Sequence, residues 1–265
     1  MRITYNLFFI SILLILLGYT PNLFGQNENS SMIIKGSLSL PISDYGKSLG
    51  NEASITRRSG FDFGNSVGLA KTGGVFSIDI ISPIRKLKGL GWIFSTKLII
   101  NPVDTKEIQN YFQSVIKDTP RDTVVFSFES SDWLHIPIMT GFNYGYIFSE
   151  DISAYLTIQG GIDISKQPTR KYSAYFRNAS ILTSIEETKF DFVISYGYLI
   201  GIDLEIFNKY SIGIQYLNLG NPQYTGERTL NPSFFNGIFD LKTNIQNDKR
   251  QINMLLISFG YRVDI

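Results

Sequence analysis

Charged residues of both signs occupy alternate positions in segments that are otherwise strongly apolar, which indicates a shared interior. The set comprises Asp79, Lys97, Asp163, Asp203, Glu205, Arg262 and Asp264, and Asp191 follows the same alternation. Isolated charges in a confined interior are costly, so opposite signs there are expected to pair and to form hydrogen bonds. The predicted chemistry is structural, namely a polar network that fills an interior and fixes strand register. A narrow ion path is the alternative.

The chain has one histidine, His135, and no cysteine. An imidazole acts as a general base only when a nucleophile lies within reach, and no motif marks any serine for that role, although Ser37 and Ser131 are available. We therefore expect His135 to form hydrogen bonds on an inner face, and we expect no enzymatic activity. The sequence also lacks the H-E-x-x-H, P-loop and dinucleotide signatures. No metal and no cofactor is predicted.

The strongest pattern in the chain is the alternation of apolar residues with polar or small ones, which is typical of strands with one apolar face. From Phe190 to Ile206 every even-numbered residue is apolar, whereas the odd-numbered residues include Ser195, Gly197 and Asp203. The same period predicts strands at about 32–40, 69–82, 90–101, 132–147, 151–164, 189–206, 209–219 and 251–264. The chain is therefore predicted to be an all-β protein.

The connections between these eight strands alternate in length. Short connections fall near 83–89, 148–150 and 207–208, and long ones near 41–68, 102–131, 165–188 and 220–250. In a membrane barrel this asymmetry places short turns in the periplasm and long loops outside the cell. An even number of strands can close without a free edge. We therefore predict an eight-stranded, antiparallel, up-and-down transmembrane β-barrel with short periplasmic turns and long extracellular loops.

Two local features depart from the strand rhythm. Apolar residues return at helical spacing after Asp104 and Thr105, which predicts a short, capped helix near 104–117. This helix is expected either to lie on the barrel rim or on lipid, or to pack against neighbouring loops. Pro137 lies inside a predicted strand, where a closed barrel offers no edge, so a local β-bulge is expected there.

The first 25 residues have the features of a secretory signal. Arg2 supplies the positive charge, and the apolar run from Leu7 to Leu17 is too short for a membrane-spanning helix. We predict a signal peptide at 1–25 and a barrel at 26–265. The formal net charge is +1, which gives no reason to expect a nucleic-acid partner.

The volume of a small barrel decides which strand face meets lipid. An eight-stranded barrel has an interior that is only just filled by side chains, and it cannot hold the whole Ile, Tyr and Phe set. The opposite face is rich in Gly, Ser, Thr, Asn and Gln, which suits a narrow lumen. Trp92, Tyr144, Tyr210 and Tyr261 fall near the short turns, and Tyr198 lies further along its strand, as expected of two interfacial girdles.

Two segments resemble a known family. The run from Lys35 to Pro41, followed by Asp44–Tyr45–Gly46, resembles the first strand and loop entry of bacterial outer-membrane β-barrel domain proteins of the porin-family or PorT-like type. The run from Trp133 to Ile138 resembles that family's aromatic-Leu-x-Ile-Pro-Leu strand. The chain departs from the pattern of such barrels at its C-terminus, since it ends in Ile265 rather than in an aromatic residue. The resemblance implies place and shape, and it implies no substrate.

These observations predict an exported protein of the bacterial outer membrane with a structural, adhesion or interaction role. The resemblance allows a subunit of an envelope secretion assembly. Expected partners are outer-membrane lipid and envelope proteins that contact the extracellular loops, since binding residues concentrate on loops held by a rigid scaffold. The alternatives are a small passive pore, a lipid-modifying outer-membrane enzyme that uses His135, and a soluble ligand-binding barrel.

Overall fold

The computed structural model describes residues 30–48, 54–56, 60–62, 68–84, 87–117, 124–176, 181–232 and 241–265. The predicted signal peptide at 1–25 lies outside these residues and stays a prediction.

Fifteen strands and one α-helix occur in the described residues. The strands are β1 (Ser31–Ile42), β2 (Ser54–Thr56), β3 (Gly60–Asp62), β4 (Gly73–Pro83), β5 (Leu90–Asn101), β6 (Val124–Ser130), β7 (Trp133–Ile147), β8 (Ile152–Lys166), β9 (Arg170–Phe176), β10 (Ile181–Phe190), β11 (Phe192–Ile206), β12 (Tyr210–Asn218), β13 (Gln223–Pro232), β14 (Leu241–Lys249) and β15 (Asn253–Asp264). The helix is α1 (Thr105–Lys117), and a short 3-10 helix spans Ser43–Tyr45.

Eight strands close into an antiparallel barrel in the order β1, β4, β5, β7, β8, β11, β12, β15, and β15 pairs with β1. Each barrel strand therefore pairs with the barrel strands before and after it in the chain, as an up-and-down topology requires. The predicted fold class is confirmed, and all eight predicted strands are present. The connection from β11 to β12 is a three-residue turn, 207–209, between the paired residues Ile206 and Tyr210. The Lys209 N–H donates to the Ile206 carbonyl at 3.2 Å, and Phe207 and Asn208 both have a φ of 56°.

The register of the barrel fixes its tilt. A row of paired residues runs around the barrel from Ile42 on β1 and returns to β1 at Met32, after Asn253, Asn218, Tyr198, Gly160, Thr140, Phe94 and Ile80. The shear is therefore about ten residues, which for eight strands gives a tilt of about 40°. At that tilt the stretch from Met32 to Ile42 spans about 25 Å along the barrel axis, the height of the apolar band of an outer-membrane barrel.

The long connections contain a second sheet that the sequence analysis did not predict. Strands β6, β9, β10, β13 and β14 form a five-stranded antiparallel sheet in the order β14, β13, β10, β9, β6. In the chain, only a few residues separate each of them from a barrel strand, as Asp191 alone separates β10 from β11. Five of the eight barrel strands thus lead into this sheet beyond the ends of β7, β8, β11, β12 and β15. We call it the extracellular sheet, after the predicted location of the long loops.

The predicted helix near 104–117 is confirmed as α1. Asp104 is its N-cap, because the Asp104 Oδ1 accepts a hydrogen bond from the Glu107 N–H at 3.1 Å. The helix contacts β6, so it packs against the extracellular sheet, which favours the second of the two locations expected for it. Among the described residues, no helix is long and apolar enough to cross a lipid bilayer.

The bulge expected at Pro137 is wrong. β7 stays in one register with β8 through the pair Pro137–Asp163, and its register with β5 is the same on both sides of the proline. The ladder to β5 instead skips the two positions opposite Lys97 and Leu98. The sheet therefore accommodates the missing N–H by leaving a local gap in the ladder, with no inserted residue.

The outward face of the barrel is a continuous apolar surface. On β11 the outward side chains from Phe192 to Ile206 are all apolar or aromatic, and Ile202 is 61% exposed. Ile214 on the neighbouring β12 and Phe259 on β15, the next strand around the barrel, are each 57% exposed. Aromatic rings meet near both ends of this surface, and the ring pairs are Trp92–Phe142, Tyr210–Tyr261 and Tyr198–Tyr216. Exposed apolar patches of soluble monomers are far smaller than a full barrel circumference.

Candidate functional site

The middle of the lumen holds an ion-pair cluster centred on Lys35 of β1. The Lys35 Nζ lies 3.0 Å from Asp79 Oδ2 and 2.9 Å from Asp203 Oδ1, so it bridges β4 and β11 across the barrel. Lys97 Nζ lies 3.6 Å from the other Asp79 oxygen, and Gln215 Nε2 donates to Asp203 at 3.3 Å. All five side chains are almost completely buried. The cluster connects β1 and β4 with β11 on the far side of the lumen.

A second cluster lies nearer the short turns. Arg262 of β15 donates from Nη1 to both carboxylate oxygens of Glu205, at 2.9 and 2.7 Å, and to the Tyr155 hydroxyl at 3.2 Å. The Arg262 guanidinium also lies 5.9 Å from the centre of the Tyr155 ring. Asp264 Oδ1 is 3.7 Å from Arg262 Nε, but the Asp264 side chain is 60% exposed. Asp264 therefore lies at the solvent-facing edge of this cluster.

A third cluster closes the lumen at the end near the long connections. His135 Nδ1 lies 2.9 Å from Asp163 Oδ2, and His135 Nε2 lies 3.2 Å from the Tyr45 hydroxyl. Tyr45 belongs to the 3-10 helix that follows β1, and its ring meets Trp133 edge to face at 5.3 Å. The Tyr45 hydroxyl donates to Asn101 Oδ1 at 3.2 Å. A side chain from outside the barrel strands thus fills the mouth of the lumen.

The 3-10 helix Ser43–Tyr45, which we call the mouth segment, is held by a close backbone contact at Gly68. The Trp133 Nε1–H donates to the Gly68 carbonyl at 3.1 Å, and the Gly68 and Ala70 amides donate to the Asp44 and Tyr45 carbonyls at 2.8 and 3.1 Å. Any Cβ at Gly68 would collide with the Tyr45 backbone carbonyl. Glycine is therefore required for this approach.

The lumen is sealed against water over much of its length. His135 and Trp133 are 0% exposed, and Lys35 is 2% exposed. Apolar side chains fill the space beside the mouth, and they are Ile99, Met139, Leu199, Leu217, Leu219, Ile252, Met254 and Leu256. A side chain that lined an aqueous channel would be accessible to water. Among the described residues, these layers of side chains are closed to water.

The extracellular sheet has one buried face and one charged face. The buried face carries Phe128 and Tyr172, whose rings lie 4.7 Å apart, and it meets the mouth of the lumen through Phe190 and Tyr224, which join the same apolar core as Trp133. Burial raises the pKa of the Tyr172 hydroxyl well above its usual value. The sheet therefore covers the barrel mouth with one side.

The opposite face presents a polar surface to solvent. Three ion pairs lie on it, Lys171–Glu129 at 4.0 Å, Lys189–Glu187 at 3.2 Å and Lys242–Glu227 at 2.8 Å. A shallow polar groove with a volume of about 530 Å³ lies among Glu187, Lys189, Asp191, Gly226, Glu227, Thr229, Lys242 and Asn244. Exposed pairs of this kind contribute little to stability. This face therefore presents charged and polar side chains to solvent.

One ion pair lies on the buried side of the sheet. Arg228 Nε is 2.9 Å from Glu186 Oε1. Burial raises the pKa of the Glu186 carboxyl, and the attraction of Arg228 only partly offsets this effect. Ionised Glu186 is therefore a local cost to the fold of the sheet.

The structure brings most of the residues of the predicted network into the lumen, but in three clusters. Asp79, Lys97 and Asp203 meet at the centre, Glu205 and Arg262 meet nearer the short turns, and Asp163 meets His135 at the mouth. Asp191 does not join them, because it is exposed at the start of β11 and accepts a hydrogen bond from Thr225 at 3.2 Å.

Lys35, the residue at the centre of the network, was not predicted from the sequence. Lys35 shares its face with Ser37 and Ser39, and the outward Leu38 lies between them, so alternation alone would have placed it in the lumen. Tyr45 was not predicted to enter the lumen either, since no local pattern distinguishes a loop aromatic that folds back into the mouth. Its place depends on contacts with Trp133, His135 and Asn101, which are distant in the chain.

The described residues contain no group of three or more His, Asp or Glu side chains that could hold a metal ion. His135 is the only imidazole, and both of its ring nitrogens face partners in the sealed part of the lumen. A substrate would have to displace the mouth segment to reach it. The arrangement is suited to packing and charge pairing.

No protein-family model matches the chain, and no curated protein matches its sequence. Solved structures similar to it include the outer membrane protein OprG from Pseudomonas aeruginosa, at 9% identity and a TM-score of 0.40, over 91% of this chain and 99% of that one. Another is Ail, the attachment invasion locus protein of Yersinia pestis, at 11% identity and a TM-score of 0.36, over 90% of this chain and 100% of that one. A third is a major outer membrane protein from Thermus thermophilus, at 8% identity and a TM-score of 0.47, over 88% of this chain and 99% of that one. The fold itself rests on the strand pairing, and such distant likenesses assign no activity.

Proposed function

We propose that this chain is an integral barrel of a bacterial outer membrane, exported to it, with a closed lumen and a non-enzymatic role in adhesion or interaction at the cell surface. The observation that carries the proposal is the combination of a continuous outward apolar surface with a lumen that is already filled. A soluble barrel would place the apolar face inside. Here the apolar face needs hydrocarbon as its solvent, and a closed sheet satisfies every backbone group at that depth.

The closed lumen argues against the passive pore. Ion-pair clusters occupy the lumen, and Tyr45 and Trp133 fill its mouth, so we expect transport to require displacement of the segment that carries Tyr45. In planar bilayers the purified barrel should show no steady conductance. A stable open channel in the unmodified protein would favour the pore instead.

The interaction role is supported by the charged face of the extracellular sheet. It is polar and exposed, and only a few residues separate each of its strands from a barrel strand. The resemblance of the Trp133–Ile138 strand to PorT-like proteins extends the proposal to a subunit of an envelope secretion assembly. The lipid-modifying alternative lacks support, because His135 has no access to lipid in the closed state.

The membrane part of the proposal is tested by fractionation of cells that express the full chain. The protein should remain in the outer-membrane fraction after carbonate washing, require detergent for extraction and show a heat-dependent gel shift. A mature chain that is monodisperse in plain buffer would overturn the proposal.

The interaction part is tested by chemical crosslinking in whole cells, followed by purification in detergent. Reversing the charges at Lys171, Lys189 and Lys242 should abolish crosslinked species without changing the gel shift. The matched control reverses Lys88 and Lys209, which lie at the short turns on the other end of the barrel. An unchanged crosslinking pattern in the first variant would remove this face as the contact surface.

A further inference from the structure

All three short turns of the barrel carry a large apolar side chain that is exposed. These are Leu87 in the turn from β4 to β5, Phe148 in the turn from β7 to β8 and Phe207 in the turn from β11 to β12, and they are 48%, 63% and 62% exposed. Lipid explains such exposure on the outward face of the barrel, but a turn at the end of a barrel projects toward water. The position of these turns relative to the bilayer therefore decides what surrounds them.

The register of the barrel gives the level of the membrane boundary near the short turns. At a tilt of about 40°, one residue advances about 2.5 Å along the barrel axis, and one step along the paired row from Ile42 to Met32 advances about 3 Å. On this scale four aromatic residues lie within about 2 Å of the level of Met32, and they are Trp92, Tyr144, Tyr210 and Tyr261. Aromatic side chains at one level mark the boundary between hydrocarbon and headgroups.

Phe148 and Phe207 lie beyond that boundary. Phe148 follows Tyr144 in the chain by four residues, and Phe207 follows Leu204, which is at the same level, by three residues. The backbone of each phenylalanine is therefore about 8–10 Å past the aromatic level, whereas the headgroup layer is about 5–7 Å thick. The two turns thus reach past the lipid into the aqueous compartment, which is the periplasm in the proposed orientation.

Phe207 is an unfavourable residue for its own turn. Its φ is 56°, in the left-handed region, and Asn208 has the same φ. Asparagine tolerates that conformation, whereas a bulky side chain in it is strained. Because the Phe207 side chain is mostly exposed, the barrel gains little packing in return. Strained residues of this kind cluster at functional sites, which indicates a contact of Phe207 outside the barrel.

The turns that carry the two phenylalanines are joined to each other, and two acids lie where they meet. The Phe207 N–H donates to the Asp151 carbonyl at 2.7 Å, and Asn208 Nδ2 donates to the Glu150 carbonyl at 3.1 Å. Both acidic side chains are exposed, and in the part of the chain that the structure describes their carboxylates have no ion-pair partner. This end of the barrel therefore combines exposed apolar rings with unpaired negative charge.

We propose that Phe148, Glu150, Asp151 and Phe207 form a docking surface for a basic, apolar segment of a periplasmic protein. An apolar side chain of that segment covers the two phenylalanine rings, and a lysine or arginine beside it pairs with the carboxylates. Removal of the rings from water offsets the strain at Phe207. The proposal rests on the outer-membrane orientation proposed above, whose failure would appear in the fractionation experiment. It is independent of what the extracellular sheet contacts.

The first test asks whether Phe207 serves the barrel or a partner. Phe207→Asn suits the left-handed turn and should shift the unfolding equilibrium toward the folded barrel by about threefold, measured by urea unfolding in lipid vesicles. The matched control Phe259→Asn changes a residue of similar exposure at the level of the hydrocarbon, and it should destabilise the barrel. A Phe207→Asn barrel that is no more stable than the unmodified one overturns the proposal, because Phe207 would then serve the turn or the lipid contact.

The second test measures binding of a defined probe to the full mature chain in lipid nanodiscs. The probe is a fluorescent hexapeptide that alternates lysine and phenylalanine, and empty nanodiscs give the background. The variants Phe207→Asn and Glu150→Gln/Asp151→Asn should each weaken binding by about tenfold. The control Glu129→Gln/Glu187→Gln neutralises two carboxylates of the extracellular sheet and should bind as the unmodified barrel does. Binding that does not exceed the background, or that is equal in all these proteins, overturns the docking surface.

Discussion

Replacement of Lys35 by methionine tests whether the central ion-pair cluster holds the barrel together. The substitution keeps an unbranched side chain as far as the ε position and removes the ammonium that lies 3.0 Å from Asp79 and 2.9 Å from Asp203. Breaking a buried ion pair at one partner costs about 3–5 kcal/mol. Lys97 and Gln215 still serve the two carboxylates, which places the expected loss at about 3 kcal/mol, or roughly a hundredfold in the unfolding equilibrium. The measurement is urea unfolding in lipid vesicles, followed by tryptophan fluorescence.

Two controls separate charge from packing in this experiment. The double variant Lys35→Met/Asp203→Asn removes one negative charge together with the positive one, and it should recover at least half of the lost stability. Lys189→Met makes the same chemical change in an exposed pair, where the Lys189 side chain is 66% exposed, and should cost less than about 1 kcal/mol. Equal unfolding midpoints for the Lys35→Met variant and the unmodified barrel would refute the reasoning.

Three further perturbations test separate parts of the fold. Burial alone would raise the pKa of the Asp104 carboxyl, but the hydrogen bond from the Glu107 N–H and the ammonium of Lys71 outweigh burial and lower this pKa. The cap of α1 is therefore fully present above the ordinary carboxyl pKa. Its stabilising effect is lost as pH falls through the lowered pKa of Asp104. Asp104→Ala should cost α1 about 1 kcal/mol, seen as faster hydrogen exchange in the helix, and equal exchange would contradict the cap. Because the pKa of Glu186 is raised, the extracellular sheet is more stable below that pKa and loses stability as pH rises through it. Glu186→Gln should therefore remove the pH dependence of hydrogen exchange in β10. A pH dependence that persists in this variant would assign the effect to another group. Gly161→Ala places a Cβ against the backbone carbonyl of Ile138 and should lower the free energy of unfolding by about 1–3 kcal/mol, measured by urea unfolding. In the control Gly160→Ala the new Cβ faces outward and meets no atom closer than 3.9 Å, so the free energy of unfolding should not change. Equal effects of the two substitutions would show that this contact does not govern the packing of β7 on β8.

The barrel strands could be predicted because a lipid-facing strand has a strict two-residue period that the sequence records. On β11 that period continues without interruption from Phe192 to Ile206. The extracellular sheet could not be predicted in this way, because its strands carry polar residues on the solvent face and mixed residues on the other. Glu186, Thr188 and Arg228 all lie on the inner side, so alternation there carries little contrast.

The lumen was predictable in its composition and not in its pairings. Side-chain period identifies which residues point inward, as it did for Asp79 and Arg262. Which inward residues touch depends on the shear of the closed sheet, which brings β1 and β11 together across the axis at Lys35 and Asp203. The shear is a property of the whole barrel and cannot be predicted from any single segment of the sequence.

The direct passage of five barrel strands into the extracellular sheet has a mechanical consequence. One residue separates strands such as β10 and β11 in the chain, and each strand is paired with its neighbours by a ladder of hydrogen bonds. A pulling force on the extracellular sheet therefore loads those ladders along the strand direction, so that many hydrogen bonds bear the load together instead of breaking one after another. We therefore expect the barrel and this sheet to resist a pulling force through the combined strength of these hydrogen bonds.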